Sequence, residues 1–173
     1  VDQELQLRPL RLDDWEAVHG WARLDEVCRY QAWGPNTPEQ TYAFVEEVVR
    51  SWAESPVTRL VHAIVVNGAI SGLATLYLLP FAQGEIAYSL HPRLWRQGIG
   101  TAAARMLLEL GFGEHERHRI FGTCDPRNVA SGRVLRRTGM SHEGRMRQNV
   151  LIRDGWRDTD IYSILRDEWR PAT

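Results

Sequence analysis

The chain reads as a mixed α/β protein: one sheet covered by helices, in the order β-α-α-β-β-β-α-β-α-β-β. Three observations predict this. Leu60 to Val66 is a nearly continuous apolar run, as expected of a strand buried on both faces, and Asn67-Gly68 behind it is a favoured two-residue hairpin turn. Glu85-Ile-Ala-Tyr-Ser-Leu90 reads as a strand that enters a glycine-punctuated turn and then a helix, with apolar residues at Ala103, Met106, Leu107 and Leu110. Thr37-Pro-Glu-Gln40 carries a helix-start signature ahead of the stripe Phe44, Val45, Val48, Val49 and Trp52. The length of 173 residues suits one domain over 1–173, and no repeat, low-complexity segment or linker interrupts it.

The elements follow in chain order. Glu4 to Leu10 alternates Leu5 and Leu7 and predicts the first strand. Asp13 or Asp14 can cap a helix through about Arg23, with Trp15, Val18 and Ala22 facing inward. Arg29 to Asn36 mixes aromatics with turn formers and predicts a loop; the helix from Thr37 ends before Pro56. After the Asn67-Gly68 turn, Ile70 to Leu79 returns antiparallel, with Gly72 as a candidate bulge. Pro80 to Gly84 turns into the Glu85 strand, and Arg119 to Cys124 makes a further strand after the glycine-led helix. Val129 to Thr138 predicts a short arginine-faced helix stopped by Gly139. Arg145–Ile152 and Arg157–Leu165, joined at Asp154-Gly155, close the chain as a hairpin.

Composition narrows the function. Apolar residues at 43% and charged residues at 25% are those of an ordinary soluble protein, and a net charge of −1 provides no global field to gather nucleic acid or an anionic membrane. Cys28 and Cys124 do not make a disulfide framework, and no Cys/His spacing predicts a metal site. No apolar run approaches the roughly 20 residues of a membrane span and no signal peptide opens the sequence, so the cytoplasm is the expected compartment.

The stretch from His91 to Leu110 carries the chemistry. Gly98 and Gly100 let the main chain approach a ligand closely, and the first free N–H groups of the helix that follows point at the same space, with the positive end of the helix dipole behind them. That is a phosphate cradle. Gly98-Ile-Gly100-Thr-Ala-Ala103 also fits the dinucleotide fingerprint, and Asp125 after the next strand sits where a ribose-binding acid would. Against a nicotinamide site stand the seven residues His91–Gln97 between strand and first glycine, the hairpins that lead to that strand, and a single evident β-α-β unit. A Walker loop is excluded, because no Lys-Ser/Thr follows the second glycine.

With Trp95-Arg-Gln-Gly98-Ile-Gly100 as a pyrophosphate loop, the Glu85–Leu90 strand before it, and Asp125-Pro-Arg-Asn128-Val-Ala-Ser131 leading to Gly139-Met140, the sequence resembles the GCN5-related N-acetyltransferase (GNAT) superfamily. It is most similar to the branch containing the ribosomal-protein N-terminal acetyltransferases, and the likeness runs from about Leu5 to Leu165. Trp95 stands where the loop often carries Gln or Arg, and Met140 replaces a frequent Phe.

The resemblance implies a splayed central pair of strands holding acetyl-CoA as co-substrate, with no metal. Backbone N–H groups of Arg96, Gln97, Gly98, Ile99, Gly100 and Thr101 would hold the pyrophosphate, and the main chain of Tyr88, Ser89 and Leu90 the pantetheine, with Asn128 bonding its amides. Ser131, one helical turn after Asn128, is the candidate proton donor to the leaving thiolate. The branch's penultimate-strand glutamate is replaced by Asn149-Val150, so the general base falls to Glu85, acting through a water; Tyr88, His62, His91, Asp160 and Tyr162 are weaker alternatives. Trp33, with Glu85 and the closing hairpin, is a candidate wall for the acceptor, and Arg133, Arg136 and Arg137 are candidates for the CoA 3′-phosphate. The expected reaction is direct acetyl transfer to a primary amine, either a protein N-terminus or a small molecule, by a monomer or homodimer. Its rivals are a CoA-binding sensor or interaction module without turnover and a nicotinamide-dependent oxidoreductase.

Overall fold

The computed structural model describes residues 4–171. One seven-stranded sheet runs through it in the order β1-β2-β3-β4-β5-β7-β6. Its strands are β1 (Leu5–Pro9), β2 (Arg59–Val66), β3 (Ala69–Leu79), β4 (Gln83–Leu90), β5 (Arg119–Cys124), β6 (Ser141–Ile152) and β7 (Gly155–Leu165). The helices are α1 (Trp15–Ala22), α2 (Asp25–Cys28), α3 (Pro38–Ser51), α4 (Ile99–Glu109) and α5 (Val129–Arg137). The expected order holds, with the short α2 added just before the loop expected from Arg29. Among the described residues, no helix is long and apolar enough to cross a membrane.

Local chemistry accounts for most boundaries. Thr37 and Gln40 make the reciprocal capping box, Gln40 N–H to Thr37 Oγ1 at 3.3 Å and Thr37 N–H to Gln40 Oε1 at 2.9 Å. At the end of α5, Gly139 adopts φ +91, and Met140 N–H donates to Leu135 O while Gly139 N–H donates to Arg136 O, the paired bonds of a Schellman stop. The start of α1 differs from expectation. Asp14 caps no helical N–H of α1; its carboxylate accepts both guanidinium arms of Arg8, at 2.7 and 2.8 Å, and the Arg11 N–H. Trp15 packs half-buried against the core with Val18 and Ala22, as expected, and Trp21 adds a fully buried side chain that the sequence reading did not place there. β4 and β6 also begin earlier than the sequence reading placed them, at Gln83 and Ser141.

Two cores lie on the two faces of the sheet. On one side Leu76, Ile86, Leu107, Phe112, Ile120 and Leu135 pack beneath α4 and α5; on the other Val18, Trp21, Val45, Val61 and Leu73 pack beneath α1 and α3. β2 is buried on both faces, as its nearly continuous apolar run predicts, with His62 buried among its neighbours. The β2–β3 register slips between Ile64 and Val65, which leaves Ser71 as the extra residue of a bulge beside Gly72. What demands glycine there is β4, because a Cβ on Gly72 would stand 2.2 Å from the Ser89 carbonyl oxygen. Gly72→Ala is expected to destabilise the fold by about 2–3 kcal/mol, measured by denaturant unfolding, since overpacking against backbone cannot relax by a rotamer change.

Candidate active site

The site arises where two strands stop pairing. β4 and β5 are the sheet's parallel pair, and their register runs only from Gln83↔Arg119 to Ile86↔Gly122. β4 continues along β3 as far as Leu90, whereas β5 continues along β7 as far as Cys124. The strands therefore part after Ile86, and a cleft of about 540 Å³ opens between them. Because side chains alternate along a strand, Glu85 and Tyr88 emerge on opposite faces of the sheet. Glu85 lies opposite Tyr77 on the α1/α3 side, while Tyr88 packs with the core beneath α4 and α5.

On the α1/α3 face, Glu85 accepts from Thr123 Oγ1 at 3.3 Å. Burial pushes the Glu85 carboxyl above its ordinary pKa, and the Thr123 bond partly counters this. Tyr77 is likewise raised by burial. Trp33 is 39% exposed and lines this part of the cleft, with Tyr30, Phe44 and the hairpin residues Val150 and Arg157. The Arg153 guanidinium donates to the Cys28 carbonyl at 3.1 Å, which ties the β6–β7 hairpin to α2 across this wall.

On the other face, the Tyr88 and Ser131 hydroxyls share a hydrogen bond of 3.1 Å. Burial pushes Tyr88 up to about 12 and the neighbouring Cys124 thiol up to about 11, so both stay protonated at neutral pH. Asn128 lines the cleft as the N-cap of α5, its side-chain oxygen accepting from Ser131 N–H at 3.2 Å. The cap orients the Asn128 amide and leaves Nδ2 as the donor it can present to a ligand. Ser89 also lines the cleft, but Leu90 does not: its side chain is buried and its carbonyl accepts Trp95 Nε1 at 3.1 Å. Of the Tyr88–Leu90 main chain expected to bind a ligand, Tyr88 and Ser89 line the cleft, and the Leu90 carbonyl is taken by Trp95.

The glycine loop adjoins this face. Arg96 and Gly98 adopt φ +63 and +83, and α4 begins at Ile99, earlier than the expected Thr101. The first intrahelical bond runs from Ala102 N–H to Gly98 O, which leaves the N–H groups of Ile99, Gly100 and Thr101 directed out of the helix end. Gln97 Nε2 donates to Arg93 O at 2.7 Å and pins the loop. A Cβ built on Gly98 meets nothing within 4 Å, so the protein itself leaves that space open; one on Gly100 makes ordinary contacts, 3.5 Å to Leu90 and 3.8 Å to the Tyr88 ring. An anionic pyrophosphate fits such a cradle. Gly98→Ala, strained by its left-handed φ and filling the cradle, is expected to weaken acetyl-CoA binding about 10- to 100-fold by calorimetry, against less than about threefold for Gly100→Ala.

Other residues singled out by sequence fall elsewhere. His62 stacks edge-on against Trp52, with its pKa lowered by burial, and His91 is also lowered, chiefly by burial; neither lines the cleft. Asp160 is bound by Arg145 at 2.7 Å and held low by it. Arg136 donates to Tyr162 Oη at 3.1 Å and lies over that ring. Asp125 has no freedom to hold a ribose. Burial alone would raise its pKa, yet the backbone and guanidinium of Arg127 lower it overall and occupy both carboxylate oxygens. With one parallel pair in the sheet, the doubly wound nicotinamide fold is ruled out. Thr123, Tyr77, Tyr30 and Arg157 were not singled out by the sequence; only the topology brings them to the cleft.

A splayed parallel pair with a helix N-terminus at its mouth belongs to a fold this chain shares with solved acetyltransferases. The chain belongs to the acetyltransferase (GNAT) domain family, which matches residues 4–141. It is 31% identical to the N-acetyltransferase YnaD of Bacillus subtilis strain 168 over 169 residues, 96% of each chain. A solved GNAT-family acetyltransferase from Bacillus anthracis superposes with a TM-score of 0.84 at 29% identity, covering 95% of this chain and 96% of that one. The ribosomal-protein-S5-alanine acetyltransferase of Vibrio fischeri shares the fold at a TM-score of 0.82 and 22% identity, with 96% of each chain covered. The protein is an acetyltransferase enzyme.

Proposed function

We propose that this acetyltransferase moves the acetyl group of acetyl-CoA to a primary amine by direct attack. The observation that carries this reading is the end of β4–β5 pairing at Ile86↔Gly122, with Glu85 and the Tyr88–Ser131 pair on opposite faces of the opening. Acetyl-CoA would supply the activated acetyl thioester. Backbone N–H groups of Arg96 to Thr101 would take its pyrophosphate, and Asn128 with the Tyr88–Ser89 main chain its pantetheine arm. From the α1/α3 face Glu85 would receive the amine's proton through a water, and from the α5 face the hydroxyl pair would donate to the departing sulfur.

Titration of the purified chain with acetyl-CoA and with NADH tests the cofactor, and CoA-thiol release across an amine panel tests the reaction. Binding of acetyl-CoA with thiol release in the presence of an amine is the expected outcome. Acetyl-CoA binding without release from any amine would leave a CoA-binding module instead, the reading that the Asn149-Val150 replacement motivates. Val150 lines the cleft, so no carboxylate enters from that strand position to substitute for Glu85.

A further inference from the structure

The acceptor wall carries both carboxylates and arginines. Its carboxylates are Glu85, Asp125 and Asp158. Asp125 is taken up by Arg127, and Asp158 accepts the Gln148 N–H at 3.0 Å. Two arginines line the same cleft, Arg59 and Arg157. Arg59 is paired with Glu47 at 2.9 Å.

Arg157 is placed differently. On β7 it shares a face with Thr159 and Ile161, and Ile161 is the cross-strand partner of Thr123, which holds Glu85. β5 ends its pairing at Cys124↔Asp160, so Arg157 stands beyond the end of β5, in the mouth of the splay and on Glu85's side of the sheet. Its side chain is 22% exposed, its partners are the turn residue Asp154 and the Trp156 carbonyl, and its Nε is enclosed without a partner. A guanidinium has about five N–H donors in a planar fork suited to oxyanions and carbonyls. Each Nη atom spends one of its two N–H groups on these contacts, so two donors remain for a ligand, apart from the enclosed Nε.

We propose that Arg157 binds an oxygen of the acceptor, so that the amine acetylated at Glu85 belongs to an aminoacyl group: an ammonium with a carboxylate or peptide carbonyl beside it. The proposal rests on the acetyltransfer reading above. A polyamine, by contrast, would offer Arg157 no oxygen to bind, and would find Asp125 already taken up by Arg127. The shared chemistry has two sources, a free α-amino acid and the N-terminus of a peptide.

Both are resolved by CoA-thiol release from the full chain with matched acceptors: an amino acid, its amide and dipeptide, the decarboxylated amine with the same side chain, and spermidine. The acceptors that keep the oxygen are expected to exceed the decarboxylated amine by about 10- to 100-fold in kcat/KM, the value of a charge-assisted hydrogen bond. Arg157→Gln is expected to collapse that ratio toward unity, mainly through KM, with Arg157→Lys intermediate. Preference for the free acid identifies amino-acid substrates, and equal or better use of the amide and dipeptide identifies peptide N-termini; either supports the proposal. Spermidine or the decarboxylated amine matching the best acceptor would overturn it on wild-type data alone, as would an unchanged ratio in Arg157→Gln protein that still binds acetyl-CoA. Absence of thiol release from every amine would instead strike at the acetyltransfer reading itself.

Discussion

Replacing Glu85 by Gln is expected to lower kcat/KM by about 10²- to 10⁴-fold at neutral pH, the usual range for a general base, and to raise the melting temperature at the same time. The two effects share one cause. Burial holds the Glu85 carboxyl above its ordinary pKa, so the ionised form needed to accept a proton is the form the fold tolerates less well. A carboxyl whose folded pKa exceeds its unfolded value contributes its stability fully below the unfolded pKa and loses it as pH rises through the folded one. The carboxyl therefore contributes less to stability at neutral pH than at acidic pH. Gln is neutral, close in shape, and still accepts from Thr123 Oγ1. The gain in melting temperature should therefore be clear at pH 7 and vanish at acidic pH, while the acidic limb of the wild-type kcat/KM profile reports the same group. Thr123→Val would move that limb to higher pH, because Thr123 is the contact that lowers the carboxyl's pKa. Unchanged turnover in Glu85→Gln would mean that the amine loses its proton without this residue.

The parts of the molecule legible in the sequence are those fixed by neighbours in the chain. The Thr37 capping box, the Asn67-Gly68 turn, the Gly139 stop and the doubly buried β2 each follow from a few consecutive side chains, and each is present. The glycine cradle was legible for the same reason. What escaped depends on pairings distant in sequence. Tyr88 meets Ser131 across a separation of 43 residues, and Arg153 reaches Cys28 across 125. The side of the sheet that Glu85 faces is set by the register of β4 against β3 and β5, which no periodicity within β4 reports. Asp14 does not cap α1 because Arg8, six residues earlier on β1, takes its carboxylate, a contact that no helix-start pattern reports. Arg136 reads as one more arginine on a solvated helix face until Tyr162 is seen behind it.

Tyr88→Phe and Ser131→Ala should each reduce the rate of the acetyl-transfer step about 10²-fold, and the double variant should lose much less than the product of the two. The sequence assigns Ser131 the proton for the leaving thiolate, and the structure changes the terms of that role. With its pKa pushed up to about 12, Tyr88 is far too weak an acid to surrender a proton to a thiolate, whose ordinary pKa is about 8.5. Full transfer would be uphill by about 5 kcal/mol at about 1.4 kcal/mol per pKa unit, and an unperturbed serine hydroxyl is no better a donor. What the pair can supply is a hydrogen bond that strengthens as charge gathers on sulfur, aimed in advance and sheltered from water; the final proton then comes from solvent. The two hydroxyls are 3.1 Å apart, and either can be the donor to the other, so only one can be turned toward sulfur without breaking their bond. Removing either takes away the hydroxyl that aims the other, which is why the losses should overlap. Tyr88 should add no alkaline limb to the rate profile below about pH 11, since it stays protonated there. Single-turnover acetyl transfer isolates this step from product release. Full additivity of the two losses, or an effect confined to the KM for acetyl-CoA, would show that the hydroxyls bind the cofactor arm independently and do not act on the leaving group.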